Sequence, residues 1–468
     1  MLEPAVPRWY LRGVRRSAQL VAMAILAVAC GDVGARDTIA VVQVAPAALG
    51  PAPWTDAAVL AEGARFLGDP VARRAALEAS LTNHGNSYSR QRLAAYGLVD
   101  RGWDALPVWN PRSAPIEASR AAALATGAAP VAPTAPLWDG VVPTTMAGWV
   151  ALGERVFFGF PLRDDAYVGD ALERPAMAAE VGIVHTAAGA VPGVVEFADV
   201  DGETRIGITC ALCHSAIDAT GALVVGRARR AFDYGRMRLA YNETHGITEP
   251  AAMVRRLAGW GPGRADVTED DDEDPVAIPD LWGLRGVAAL TQAGTITHGS
   301  PMALAIRQET QLLHASHQRI RPPRELAWAL AMFVYSLTPP PAAPPADLAA
   351  VARGADVFAA RCARCHRDPD GGGGLIKAEI VGTSAALATG HGRGTGAYRV
   401  PALLDVRAGA PYLHDGTIAS LDELLSSARL AADYRGGARG PGPVPGHRYG
   451  LELAAGERAD LLAYLAGL

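Results

Sequence analysis

The chain has 468 residues, half of them hydrophobic, which is enough for two or three domains with packed cores. Its formal net charge of −5 provides no electrostatic basis for binding nucleic acid. Aromatic residues make up 6% of the sequence, which is low for an all-β protein. The composition therefore points away from nucleic-acid-binding and all-β classes.

Residues 1–30 have the pattern of an export signal. A basic region precedes the apolar stretch Leu20–Ala29, which is too short to span a bilayer comfortably, and Cys30 follows directly. The run Leu26-Ala-Val-Ala-Cys30 is similar to a bacterial lipobox, although Ala27 stands where leucine is usual. The basic residues are Arg8, Arg12, Arg15 and Arg16.

We therefore expect a signal peptide over residues 1–30, a lipid on Cys30, and a membrane-tethered lipoprotein in the periplasm. The same residues also fit an Ala-x-Ala signal peptidase site, which would export the chain without a lipid. A buried helix is the remaining interpretation. The following segment, residues 31–139, is an N-terminal extension of unknown role, with helical patterns over Asp56–Leu67 and Val71–Leu81.

Four of the five cysteines form two Cys-x-x-Cys-His motifs. In such a motif each thiol forms a thioether with a haem vinyl group, and the adjacent histidine becomes the proximal iron ligand. A redox dithiol does not need the histidine, and a zinc site pooling all four thiolates is unusual in an exported protein. We therefore predict two covalent c-type haems. The attachment residues are Cys210, Cys213 and His214 for the first haem, and Cys362, Cys365 and His366 for the second.

A glycine and an aromatic residue precede each motif at helical spacing. Gly354 and Phe358 stand directly before the second motif, and Gly153 and Phe157 stand well before the first. This spacing predicts a helix that packs closely on the last helix of its domain. The long insertion between Phe157 and the first motif is expected to be a loop or a small hairpin over the haem edge.

A repeat follows each motif. Ile278–Arg285 matches Val400–Arg407, and each half then ends in a helical pattern. We therefore predict a mainly α protein with two tandem cytochrome c-like domains, each carrying one covalent haem. The predicted domains are residues 140–337 and 346–468, joined by a stiff Pro-rich linker over residues 338–345.

The run from Tyr398-Arg-Val-Pro-Ala-Leu to Ala410-Pro-Tyr-Leu-His-Asp-Gly resembles the hallmark of bacterial dihaem cytochrome c peroxidases. Relatives of that family include dihaem enzymes that mature a tryptophan-derived cofactor, and rubber oxygenases. The resemblance implies an oxidoreductase in which the first haem binds peroxide and the second relays electrons. It also implies a small redox donor such as a monohaem cytochrome or a cupredoxin. No catalytic residue is identified.

The sixth ligand decides what each haem does. No methionine follows Met332, and Ala428 stands where the peroxidases place their ligating methionine, so the second haem needs another ligand. His447 resembles an axial histidine of rubber-oxygenase-type proteins and is the predicted ligand. His414 is expected beside the haem, and His391 is expected in a surface loop.

The first haem has several candidate ligands. His317 precedes the last helix of its half much as His447 does, and is the predicted ligand. An open or water-bound iron is the main alternative. His314, His298, Met302 and His245 are weaker candidates.

Two further features resemble family elements but have simpler interpretations. The resemblance implies calcium between the domains, and the acidic run 269–274 is the candidate site. That run lacks the spacing and glycine of a calcium loop, which favours a solvated loop. Trp282 lies in the repeat segment and is expected in the core, although relatives place a tryptophan between the haems.

The sequence thus favours periplasmic electron transfer, with or without peroxidase activity at the first haem. A dihaem oxygenase or cofactor-maturing oxidoreductase with an open first haem is the alternative. No nucleic-acid partner is expected.

Overall fold

A computed structural model describes residues 54–97, 102–131, 133–164, 166–187, 189–266, 268, 270, 274–316, 319–367 and 370–468. The chain divides into residues 1–40 and 41–468, and all described residues belong to the second unit. The predicted signal peptide, Cys30 and His317 lie outside the described residues.

The described chain is mainly helical, which confirms the predicted α class. In the N-terminal part the helices are α1 Asp56–Gly68, α2 Pro70–Ser80, α3 Ser87–Gly97 and α4 Ala118–Ala125. The middle part contains α5 Met146–Gly159, α6 Ala166–Glu173, α7 Pro175–Glu180, α8 Cys210–His214, α9 Tyr234–Thr244, α10 Ala251–Ala258, α11 Pro301–Ala315 and α12 Arg324–Ser336. The C-terminal part contains α13 Leu348–Arg361, α14 Ala378–Val381, α15 Ala386–Thr389, α16 Leu421–Leu424 and α17 Ala455–Leu465.

Short strands connect these helices. They are β1 Arg112–Glu117, β2 Arg163–Asp164, β3 Ala190–Ala198, β4 Thr204–Ile208, β5 Ser215–Ile217, β6 Leu223–Val225, β7 Arg264–Ala265, β8 Val276–Ala277, β9 Ala289–Leu290, β10 Ile296–Thr297, β11 Leu375–Lys377 and β12 Ala397–Arg399. One sheet has four strands in the order β1-β3-β4-β2, with antiparallel pairs, and the other sheets are two-stranded.

Two helix crossings define the two halves. On α5, a Cβ built at Gly153 would overlap the Ala329 carbonyl of α12. On α13, a Cβ built at Gly354 would likewise overlap the Asp460 carbonyl of α17. Only glycine allows the helix backbones to approach this closely, so the predicted role of both glycines is confirmed.

The insertion before the first motif was expected to be a loop or a small hairpin, and it contains the β3–β4 hairpin. Strand β3 is buried along almost its whole length, because β1 covers one edge and α8 packs on it. At Gly193 (φ +89°) a side chain would overlap the Leu212 backbone of the first motif. The sheet therefore holds the short helix α8 in place.

The N-terminal extension is integrated into the first half. Its residues Phe66 and Leu77 share a hydrophobic core with Trp328 of α12, and Gly63 packs directly against that tryptophan. The extension also contacts the second half, since the backbone N–H groups of Ser87 and Tyr88 donate to carbonyls of residues 391 and 392 at 2.9 Å. In the part of the chain that the structure describes, no helix has the length and apolar character needed to cross a membrane.

Candidate haem sites

The first motif lies on α8, a single helical turn between β4 and β5. Thr209 caps the turn by accepting a hydrogen bond from the Ala211 backbone N–H at 3.3 Å. Cys210 and Cys213 are not joined in a disulfide, and burial raises the pKa of Cys210 to about 12. Cys210 is thus held on a rigid turn, and its thiol is protonated at neutral pH.

His214 is oriented for metal binding. Its Nδ1 donates to the Pro279 carbonyl at 3.0 Å, because a carbonyl oxygen can only accept. Burial lowers the pKa of His214 to about 4, so the ring is neutral at physiological pH. With Nδ1 occupied, Nε2 is the nitrogen that can bind iron, as second-shell contacts in metal sites usually arrange.

The second motif directly follows α13 and repeats this arrangement. The His366 Nδ1 donates to the Gly371 carbonyl at 2.6 Å, and burial lowers the pKa of this imidazole as well. Cys362 and Cys365 are also free thiols. Both motifs therefore present two thiols and an imidazole with one available nitrogen.

A cavity of about 310 Å³ lies against the second motif and is large enough for a bound cofactor. Its walls carry Cys362, Cys365 and His366 together with His447 and many aliphatic side chains. The aliphatic residues include Val381, Val400, Leu404, Leu425, Leu461 and Leu465. The cavity thus brings together the attachment residues and the predicted second axial ligand in an apolar space, which fits a covalent haem.

His447 is held in an unusual backbone conformation. Its φ is +44°, a region that non-glycine residues rarely occupy, and Gly446 before it has φ +90° and packs against Thr383. The buried Arg429 guanidinium donates to the carbonyls of Gly446 and His447 at 2.7 and 3.0 Å. Arg429 therefore stabilises the turn that points His447 into the cavity.

The His447 imidazole lacks a hydrogen-bond partner at Nδ1 among the described residues. Burial, and then the charge of His366, lower the pKa of His447 to about 4. The two imidazoles are thus close enough to interact across the cavity. This geometry fits His366 and His447 as the two axial ligands of the second haem.

The other two histidines of the second half have different positions. His414 lines the cavity, stacks on Tyr398 with ring centroids 4.2 Å apart, and has its Nε2 3.2 Å from the Tyr398 hydroxyl. It therefore lies beside the site with one nitrogen engaged. His391 is exposed and does not line the cavity, in agreement with the expected surface loop.

Arg399 is a site residue that sequence reasoning missed. It lines the cavity, has no carboxylate within ion-pair distance among the described residues, and its buried Nε has no partner there. Burial alone lowers its pKa to about 10. Withdrawing part of a guanidinium from water without a counterion is costly, and the carboxylate of a haem propionate would supply one. The only sequence signal was a charged residue inside the apolar run Tyr398-Arg-Val.

The weaker ligand candidates of the first haem are now distinguishable. His298 has both ring nitrogens engaged, Nδ1 with the Val287 carbonyl at 3.0 Å and Nε2 with the Tyr335 hydroxyl. His245 is exposed, and its Nδ1 donates to the Tyr241 carbonyl at 2.9 Å. Met302 and His314 are both buried on α11.

The structure connects the two sites through the segment 278–282. Pro279 accepts the hydrogen bond from His214 and also lines the cavity of the second motif. Trp282 is buried, as expected for a core residue, and lines the same cavity while its Nε1 donates to the Val225 carbonyl at 3.3 Å. One short segment therefore forms the wall between the two motifs.

The acidic run is bound by an arginine. Asp266 and Asp270 lie 3.2 and 3.6 Å from Arg393 of the second half, and Asp274 also pairs with it. All three carboxylates thus face one buried guanidinium, while residues 271–273 lie outside the described residues. Across the described ranges, no three His, Cys, Asp or Glu side chains come together as a metal site.

Comparisons with known proteins agree with the second site. Residues 351–468 match the family model described as cytochrome c. One solved structure, of a MauG-like protein associated with microbial copper homeostasis, is similar with a TM-score of 0.30 and 17% identity over 42% of this chain and 76% of its own. No curated protein sequence matches the chain. The family match covers the second motif, His447 and the α13–α17 crossing, so residues 351–468 are a cytochrome c domain that carries haem c.

Proposed function

We propose that the protein is a dihaem c-type cytochrome that transfers electrons in the periplasm. The observation that carries the proposal is the cavity in which Cys362, Cys365, His366 and His447 meet. The haem would supply a one-electron couple, and two histidine ligands favour electron transfer because they leave no open coordination position. The matching thiol pair and the matching histidine orientation at Cys210–His214 support a second haem there.

The proposed path between the sites uses the chain itself. Pro279 contacts the proximal histidine of the first motif and the cavity of the second. The hydrogen bond between His214 and Pro279, together with the position of Pro279 in the cavity wall, would place both haems against one rigid segment. This supports two haem domains, residues 140–337 and 346–468, that exchange electrons within one molecule.

The proposed redox partner is a small protein with an acidic docking face. The cavity of the second motif is bordered by the exposed residues Arg361 and Arg364, although the chain as a whole has a net charge of −5. Arg364 lies 5.1 Å from the Tyr449 ring centroid, and the neighbouring Arg448 is also exposed. We call Arg361, Arg364 and Arg448 the arginine rim. Such a local positive charge would steer an acidic donor or acceptor toward the second haem.

The proposed location rests on residues 1–30, whose pattern supports export, and on Cys30, which would carry the lipid anchor. Peroxidase activity at the first haem would require an open iron and an acid–base side chain above it. The oxygenase and cofactor-maturing alternatives require the same open iron. Addition of peroxide to the oxidised protein would separate these functions, since only an open first haem would form a ferryl species.

Haem counting tests the proposal directly. The full chain, produced in a host that attaches c-type haems, should contain two covalent haems by the pyridine haemochromogen assay. The double variants C210S/C213S and C362S/C365S should each contain one, because each thiol pair anchors its own haem. C30S is the matched cysteine control and should keep both haems while leaving the membrane fraction. A wild-type chain with no haem would overturn the function, and one with a single haem would overturn the dihaem proposal.

A further inference from the structure

One buried histidine of the first half has no partner. His314, on α11, is 3% exposed, and neither its Nδ1 nor its Nε2 has a hydrogen-bond partner among the described residues. Leaving such a buried polar group unsatisfied is unfavourable, because it has lost its hydrogen bonds to water. Among the described residues of this half, His298 is the other buried histidine, and both of its ring nitrogens are engaged. A group that is absent from the protein chain is therefore expected at His314.

A second polar group on the same helix face points to the same conclusion. Arg307 precedes His314 by two helical turns, which places both side chains on one face of α11. The Arg307 Nη1 is buried and also lacks a partner in the described part of the chain. The pair consists of a cation and a neutral imidazole, which suits an anionic cofactor with a metal centre.

Helix α11 and the first motif belong to one hydrophobic core. Leu304, Leu312 and Leu313 of α11 are members of this core together with Ala211, and Cys210 packs against it. Burial raises the pKa of Cys210, and the charge of Arg307 lowers it in part. The charge of Arg307 also lowers the pKa of His214. The charges of Arg92 and Arg307, after burial, contribute to a His314 pKa of about 3. Arg307 is thus close to the attachment residues and to His314 at once.

We propose that His314 is the second axial ligand of the first haem iron, partnered with His214, and that Arg307 pairs with a haem propionate. The inference rests on the proposed haem at the first motif. It replaces His317 as the ligand and makes the first haem bis-histidine, like the second. Both halves then share one arrangement, in which a histidine and an arginine each have a buried nitrogen without a partner among the described residues: His314 with Arg307, and His447 with Arg399.

The test is the spin state of the oxidised dihaem protein by EPR and optical spectroscopy. The wild type should show two low-spin haems. H314A should convert one of them to high-spin, and added imidazole should restore the low-spin signal. H245A is the matched control, because His245 is exposed and bonded to its own helix, and it should leave both signals unchanged.

H314M provides a second variant in case H314A does not accumulate. It should keep two low-spin haems but gain the absorption band of methionine-to-iron charge transfer and a higher potential for one haem. Two unchanged low-spin signals in H314A, no such band in H314M, or a high-spin haem in the wild type would each overturn the inference. Absence of haem from the first motif, shown by the haem count of C362S/C365S, would instead overturn the proposed function.

Discussion

The two motifs have the same local chemistry but very different surroundings. Around Cys210–His214, a four-stranded sheet, the N-terminal extension and α11 enclose the site. Around Cys362–His366, a single helix crossing and short loops suffice, and the cavity reaches the exposed Arg361 and Arg364. The same five-residue motif can therefore lie in an enclosed site, as at Cys210–His214, or in a site bordered by charged surface residues, as at Cys362–His366. The surrounding segments of the chain make this difference.

Because of this difference, the two halves would have different roles in the proposed electron transfer. In the proposed function, the second site would exchange electrons with a partner, because charged residues border it. The first site would store or relay electrons, because its histidine bonds to Pro279, which also lines the second cavity. Variants at the contact that joins the halves, at the helix crossing within each half and at the exposed arginines test this comparison of the two sites.

The largest expected effect is at Arg393, which joins the second half to the acidic run of the first. R393A would leave Asp266, Asp270 and Asp274 buried without their shared cation. Removing one partner of a buried charge network typically costs about 3–5 kcal/mol. Urea unfolding followed by circular dichroism should show this loss, whereas R435A, at an exposed arginine, should unfold like the wild type. An unchanged midpoint for R393A would mean that the guanidinium does not hold the two halves together.

A smaller effect is expected at the two helix crossings. G153A and G354A each introduce a methyl group against a helix carbonyl, which typically costs about 1–3 kcal/mol. The cost should be larger at Gly153, because the α5–α12 crossing lies in the main core while the α13–α17 crossing has a small one. G456A is the matched control on α17, since a Cβ there meets no atom within 4 Å. Equal stability of all three variants would contradict the close packing.

The sequence was sufficient for features that depend on local spacing. The two attachment motifs, the crossing glycines and the hairpin before the first motif all follow from neighbouring residues, and the structure has them. The position of His447 in the cavity wall also depends on neighbouring residues, because Gly446 before it has a positive φ and allows the sharp turn there.

What could not be predicted depends on contacts between distant segments. Strand β1 comes from the extension and pairs with β3, a partner that no periodicity in Arg112–Glu117 reveals. Arg399 and Arg307 look like ordinary arginines in the sequence, and only the fold shows that each has a buried nitrogen without a partner among the described residues. The sequence also gave no reason to prefer His314, because the absence of partners around a buried side chain is a property of three-dimensional packing.

The smallest effect concerns rates and sharpens the contrast between the two sites. The double variant R361E/R364E should leave haem content and stability unchanged, because both side chains are exposed. It should slow oxidation of the reduced protein by hexacyanoferrate(III), an anion, by about tenfold at low salt, and accelerate oxidation by tris(phenanthroline)cobalt(III), a cation. Stopped-flow traces at high salt should converge for variant and wild type, since screening removes steering between exposed charges.

The matched control is R255E/R256E, on the exposed face of α10, which should alter neither rate appreciably if electrons leave through the arginine rim. Equal effects of both double variants would instead mean that net charge, and not the rim beside the second cavity, governs the exchange.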